Sequence, residues 1–155
     1  MITTSALISK YGKPSENGSP YLVKIVLPYP MVLAWDKTQK VTSMRCHKLI
    51  AGNLSNVFNE LLAEYGLAKI QQFGIDLYGG CFSYRQMRGG TDWSRHSWGV
   101  AIDLDPERNQ LKETKKTARF ARPEYQKMLD IFDRNNFNSL GVKMNYDWMH
   151  FEIKD

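Results

Sequence analysis

Ser94-Arg95-His96-Ser97-Trp98-Gly99-Val100-Ala101-Ile102-Asp103 is the stretch on which the reading of this chain turns. It passes from a polar loop into an alternating run. Val100, Ile102 and Leu104 fall on one face of a strand, and Ala101 and Asp103 fall on the other. Ala101 is small, which leaves room beside Asp103 for an approaching group. A histidine in the loop and a carboxylate within the strand can be folded toward one point.

A second stretch, Asp147-Trp148-Met149-His150-Phe151-Glu152, offers a carboxylate and a histidine at the mouth of another apolar run. In a regular strand, residues three apart face opposite ways. Asp147 and His150 therefore meet only if the chain turns near Asp147-Trp148 and the strand starts near His150. His150 and Glu152 then share a face. Glu152 is either a carboxylate that orients the imidazole or a strand-surface charge. Two imidazoles, one carboxylate ligand and one spare carboxylate are the parts of an open catalytic zinc site, where three protein ligands leave a fourth position for water.

Outward from these stretches the periodicity changes. Ile50, Leu54, Val57, Phe58, Leu61 and Tyr65 fall on one helical face, and Gly66 stands where such a helix would end. A second helix is expected after Pro123, with Tyr125, Met128, Leu129 and Phe132 on one face and Asn135-Asn136 at its end. Tyr21 to Leu27 reads as a strand stopped by Pro28 and Pro30. Met31 to Trp35 and Val41 to Met44 read as a hairpin around a polar loop, Asp36 to Lys40. Lys13 to Pro20 and Met87 to Asp92 read as loops, Gln110 to Arg122 as a polar basic excursion, and Ile75 to Tyr84 as a strand, a turn at Gly79-Gly80 and a short second strand ending at Arg85. Met149 to Ile153 is the last strand. Strands precede, separate and follow the helices without a βαβ rhythm, so the class is α+β.

At 155 residues the chain suits a single domain able to bury its own core. No window reaches the roughly 18 apolar residues of a membrane span, so no stable membrane insertion is expected. Met1 to Leu7 lacks the basic and apolar regions of a signal peptide, and synthesis in the cytoplasm is the expectation. The net charge of +5 favours polyanions, nucleic acid or an anionic cell wall among them. With no nucleic-acid-binding motif in the chain, nucleic acid is not the expected partner. Cys46 and Cys81 lie in no metal-ligand spacing and read as buried thiols, with a disulfide as the alternative.

The pattern Ser94-x-His96-x-x-Gly99-x-Ala101-x-Asp103, with Asp147-x-x-His150 downstream and Tyr84-Arg85 upstream, carries a resemblance. It resembles the D-alanyl-D-alanine carboxypeptidase and L-alanyl-D-glutamate endopeptidase family of zinc peptidases. That family includes phage endolysins and shares its fold with the hedgehog signalling domain. The likeness runs over residues 50–153, taken as the catalytic core, and residues 1–49 add little to it. The resemblance implies a small antiparallel sheet with helices packed on it. It implies zinc held by His96, Asp103 and His150, a general base at Asp147, and Arg85 on the developing oxyanion. Aspartate at the base position belongs with the endopeptidase, phage-type branch. The tryptophan- and glycine-rich run of many members is replaced by Asn138 to Asn145, so the substrate-facing loop differs. Ser94 either hydrogen-bonds substrate or caps its loop.

The chemistry is coherent by itself. Zinc lowers the pKa of a water it holds from about 15.7 toward 7. A carboxylate base contributes roughly 10²–10⁴ in rate, and a guanidinium at the carbonyl oxygen answers charge that appears only in the transition state. The expectation is a monomeric zinc metallopeptidase that cuts peptidoglycan stem peptides at the L-alanyl-D-glutamate bond, a phage or prophage lysin reaching the wall after the membrane is breached. The alternatives are a D-alanyl-D-alanine carboxypeptidase and, in another class, a binding module that keeps zinc and hydrolyses nothing.

Overall fold

The sheet grows from a long N-terminal hairpin. In the computed structural model, which describes residues 3–87, 89–90 and 92–155, helix α1 (Thr4–Tyr11) leads into β1 (Leu22–Leu33) and β2 (Asp36–His47). Pro28 and Pro30 do not stop β1. They fall where the ladder slips, between the pairs Val26↔Ser43 and Met31↔Val41, so that residues 27–30 stand opposite residue 42 alone. A bulge of this kind is where a strand tolerates residues with no N–H to give. Asp36 to Lys40, expected as a loop, is strand as well. Leu33 pairs directly with Asp36, which leaves Ala34-Trp35 as the turn. Helix α1 was not legible from composition; Thr3 caps it by accepting from the Ala6 N–H.

Helix α2 (Ala51–Gln72) buries the expected face, with Leu54, Val57, Phe58 and Leu61 all 1% exposed or less. The first helical run ends at Gly66, as expected, at φ 73°, ψ 160°, and a second short helical run follows across the kink to Gln72. Next come β3 (Leu77–Gly80), β4 (Ala101–Leu104) and α3 (Gln126–Arg134), the last entered through a 3-10 turn at Pro123–Tyr125. The chain closes with β5 (Phe137–Ser139), α4 (Leu140–Met144) and β6 (His150–Ile153). The strand expected over Ile75 to Tyr84 is therefore short. The second short strand expected up to Arg85 is absent, and among the described residues that follow β3 one bridge forms, Gln86↔Trp93. Arg88 and Thr91 of the expected Met87–Asp92 loop lie outside the described residues, as do Met1 and Ile2.

Among the described residues the six strands are ordered β2-β1-β3-β4-β6-β5. All neighbours are antiparallel except β1 and β3, so the α+β class holds while the sheet is mixed rather than wholly antiparallel. A parallel pair needs a crossover, and α2 supplies it. Buried side chains from Leu7 to Ile153 form one connected cluster. At its centre the Phe132 and Phe151 rings stack with centroids 3.9 Å apart, which locks α3 onto β6. No described helix is long and apolar enough to cross a membrane.

Candidate metal centre

The β4–β6 ladder builds the site. Asp103 pairs directly with His150, and Ala101 with Glu152. Alternation sends Ile102, Leu104, Phe151 and Ile153 to the core and leaves Asp103, His150 and Glu152 on the opposite face. His150 Nδ1 lies 3.0 Å from Asp103 Oδ1. The required turn is present. Asn145 and Asp147 both have positive φ, 54° and 53°, and the His150 N–H donates to the Asp147 carbonyl at 3.0 Å. The strand starts at His150, as the Asp147–His150 spacing demands.

His96 arrives on a 3-10 turn, Arg95–Trp98. Ser94 opens that turn, its hydroxyl accepting from the His96 N–H at 3.3 Å. Gly99 ends the turn at φ 67°, where a Cβ would come within 3.0 Å of the His47 backbone nitrogen. The Nδ1 of His96 is 2.7 Å from the Cys81 carbonyl and must donate to it, which leaves the Nε2 lone pair free. That Nε2 is buried, lies 3.2 Å from Asp103 Oδ2 and makes no hydrogen bond. Two acceptors facing each other this closely call for a cation between them.

One ligand atom from each of His96, Asp103 and His150 lies within 4.8 Å of the other two, so the triad can hold a metal ion. Two donors at about 2.0–2.1 Å from a tetrahedral zinc are roughly 3.3 Å apart. The 3.2 Å and 3.0 Å contacts, made to the two different oxygens of Asp103, are near that spacing. Nitrogen and carboxylate oxygen donors in this number suit zinc.

The electrostatics agree with the geometry. Burial would raise the Asp103 carboxyl, but the hydrogen bond from His150 Nδ1 and the two imidazoles that face it outweigh burial and hold the group well below the usual carboxylate range. Burial would lower His150, but its contacts with Asp103 and Glu152 push it up to about 10. Glu152 Oε1 sits 2.9 Å from His150 Nε2, and its Oε2 sits 3.3 Å from Arg95 Nη1. Of the two readings of Glu152, the carboxylate that orients the imidazole is the one this geometry fits. Glu152 pins Nε2 and presents Nδ1 to Asp103.

Asp147 and Arg85 line the same cleft as the triad, a concavity of about 580 Å³ that Ser94 and Arg95 also border. The Asp147 N–H donates to the Leu111 carbonyl at 2.8 Å, which ties the turn to the 110–117 loop. Arg85 is exposed, but its backbone is held. Its N–H donates to the Ser97 hydroxyl at 3.0 Å, and that hydroxyl donates back to the Arg85 carbonyl at 2.8 Å. Ser97, the Cys81 carbonyl and Arg95 all act on the site through contacts between distant segments, which no local spacing signals. Gly141 of α4 packs on Trp148 so closely that a Cβ would fall 2.1 Å from the indole. The expected Asn138–Asn145 departure is thus a short helix seated on the Asp147 turn. Cys46 and Cys81 are buried free thiols, as expected.

No curated protein matches the chain. Residues 88–153 match the family model described as D-alanyl-D-alanine carboxypeptidase. The matched segment holds the whole triad and Asp147 and stops short of Arg85 and the N-terminal hairpin. Homology to that family over these residues, together with a His/Asp/His triad able to hold a metal, supports a zinc-dependent peptidase acting on peptidoglycan.

Proposed function

We propose that this chain is a zinc peptidase that removes the terminal residue of D-alanyl-D-alanine stem peptides. The observation that carries the reading is the meeting of the triad, Asp147 and Arg85 in one cleft. The family description over residues 88–153 favours the carboxypeptidase cut.

His96, Asp103 and His150 would hold the metal, with Cys81 and Glu152 setting the two imidazoles. When bound, zinc supplies Lewis acidity at neutral pH. Asp147 takes a proton from the attacking water on its carboxylate and returns it to the departing amine. Arg85 donates to the carbonyl oxygen as charge builds there, and Ser94 borders the substrate while holding the His96 turn. A single domain with a hedgehog-type fold, acting as a monomer, goes with this reading.

A second reading is an L-alanyl-D-glutamate endopeptidase working as a phage lysin. Aspartate rather than glutamate at position 147 favours it, as does a cleft that continues past Lys112 into a neighbouring depression. Tandem mass spectrometry of a stem pentapeptide incubated with zinc-loaded protein, with chiral analysis of the alanine set free, separates the two. Release of D-alanine from the C-terminus, blocked by chelator and restored by zinc, supports the first, and release of L-alanine from the N-terminus supports the second. An intact pentapeptide after prolonged incubation would overturn both.

A further inference from the structure

The catalytic cleft does not end at Asp147. A second concavity of about 630 Å³ adjoins it, and the two share Leu111, Lys112 and Met149. We propose that this depression, with Lys112 at the junction, is a subsite for a free carboxylate of the bound peptide away from the scissile bond. The proposal rests on the peptidase reading above and names what the enzyme grips beyond the reacting atoms.

The wall of the depression is built rather than loose. Its loop is fastened to the turn that carries the proposed base. The Asp147 N–H donates to the Leu111 carbonyl at 2.8 Å, and the Lys115 N–H donates to Asn145 Oδ1 at 2.7 Å. The loop also closes on itself through the Thr117 and Ala118 N–H groups, which donate to the Thr114 carbonyl at 3.0 and 2.9 Å. On the far side, the Met149 carbonyl accepts from the Leu104 N–H at 3.0 Å, so the floor hangs from the end of β4, next to Asp103. Whatever lies in the depression is therefore held in fixed register with the metal centre.

The chemistry of the lining selects an anion on a peptide. Leu111 and Met149 supply apolar surface, and Thr114 and Thr117 supply hydroxyls. Among the described lining residues the one carboxylate, Glu113, is already engaged, accepting from the Gln110 N–H at 2.6 Å. Lys112 is exposed and forms no ion pair among the described residues; of the cleft's other two cations, Arg95 is committed to Glu152 and Asp155, and Arg85 is assigned above to the scissile carbonyl oxygen. An exposed lysine that borders both grooves, beside apolar floor and hydroxyls, matches an extended peptide with a spare carboxylate. In a stem peptide that group is the glutamyl carboxylate left out of the chain. A compact, strongly hydrated point charge gives charge selection without the bidentate geometry of an arginine.

The test compares two stem peptides that differ only in that carboxylate, free or amidated, and measures their binding by calorimetry to zinc-loaded Asp147→Asn protein, in which hydrolysis is slowed. With Lys112 intact, amidation is expected to weaken binding about 5–10-fold, the scale of one charge-assisted contact at a partly solvated site. In the Lys112→Gln background the difference should shrink below about 2-fold, with zinc content unchanged and a bare D-alanyl-D-alanine dipeptide bound equally by both proteins. The subsite is overturned if amidation costs the same in both proteins, or if neither peptide binds. Discrimination by the Asp147→Asn protein with no cleavage by the zinc-loaded protein that keeps Asp147 would leave the subsite standing and sink the peptidase reading. Cleavage without discrimination would do the reverse.

Discussion

The C-terminal ladder and the N-terminal hairpin divide the labour of this molecule unequally. β4 and β6 carry Asp103 and His150 in short strands, the Arg95–Trp98 turn brings His96, and all three lie within residues 88–153, which match a known family. α1, β1 and β2 carry none of the proposed chemistry, yet they grip the back of the His96 turn. Trp98 Nε1 donates to the Gly12 carbonyl at 2.7 Å, and the His47 N–H donates to the Gly99 carbonyl at 2.9 Å. His47 itself, 1% exposed, donates from Nε2 to the Tyr11 carbonyl at 2.8 Å and accepts from the Leu49 N–H at 3.1 Å on Nδ1. The difference teaches that a histidine's role follows from what its second nitrogen faces. His96 has a backbone carbonyl on one side and a carboxylate on the other. His47 has backbone partners on both sides and is a clasp.

The comparison breaks most sharply at the ladder. His150→Ala should remove metal and activity together, because three ligands leave no redundancy. Full zinc content in that variant, measured by elemental analysis, would refute the ligand set.

Next in size are the two groups that line the cleft without belonging to the triad. Asp147→Asn should keep zinc and lose roughly 10²–10⁴ in turnover. Arg85→Ala should lose about 10²–10³ in kcat with little change in KM, and Arg85→Lys should recover only part of it. A raised KM at unchanged kcat would make Arg85 a substrate anchor instead. Metal lost along with rate in the Asp147 variant would turn that residue into a ligand.

Smaller again is the effect of releasing His150 from behind. Glu152→Gln keeps the size of the side chain but lacks the charge that faces His150 Nε2 and Arg95. Zinc affinity should fall about 10–100-fold while the melting temperature changes little. An unchanged affinity in chelator competition would return Glu152 to the rank of a strand-surface charge.

The smallest effect lies in the hairpin and is a matter of pH. Burial first, opposed by the Tyr11 contact and aided by the nearby Lys48 charge, lowers the His47 pKa from its ordinary 6.5. A histidine whose folded-state pKa is depressed is best satisfied neutral. Its contribution is complete above the unfolded value and is lost as pH falls from about 6.5 through the folded value. Protonating Nδ1 removes the acceptor for the Leu49 N–H, a loss of about 1 kcal/mol. Thermal melts at pH 7.5 and 5 should show an acid destabilisation that His47→Gln reduces. An equal acid loss in both proteins would assign it to other groups.

The residues of the ladder were legible in the chain because their logic is local. The alternation from Val100 to Leu104 sets which face Asp103 takes. The three-residue spacing of Asp147 and His150 forces a turn that Asn145 and Asp147, at positive φ, provide. The α2 face was legible for the same reason: period 3.6 is written in consecutive residues, and Leu54, Val57, Phe58 and Leu61 are buried accordingly. Tertiary structure alone decided the rest. Pro28 and Pro30 are tolerated in β1 because β2 slips past them, which depends on a partner strand rather than on the prolines. The direction of β3 depends on where α2 returns the chain. The free nitrogen of His96 is selected by a carbonyl fifteen residues away in sequence, and that of His150 by a carboxylate that Arg95 holds from another segment. A sequence displays which groups are present and how they alternate. Which lone pair faces the centre of the triad is settled by hydrogen bonds that exist only once distant backbone has been packed beside it.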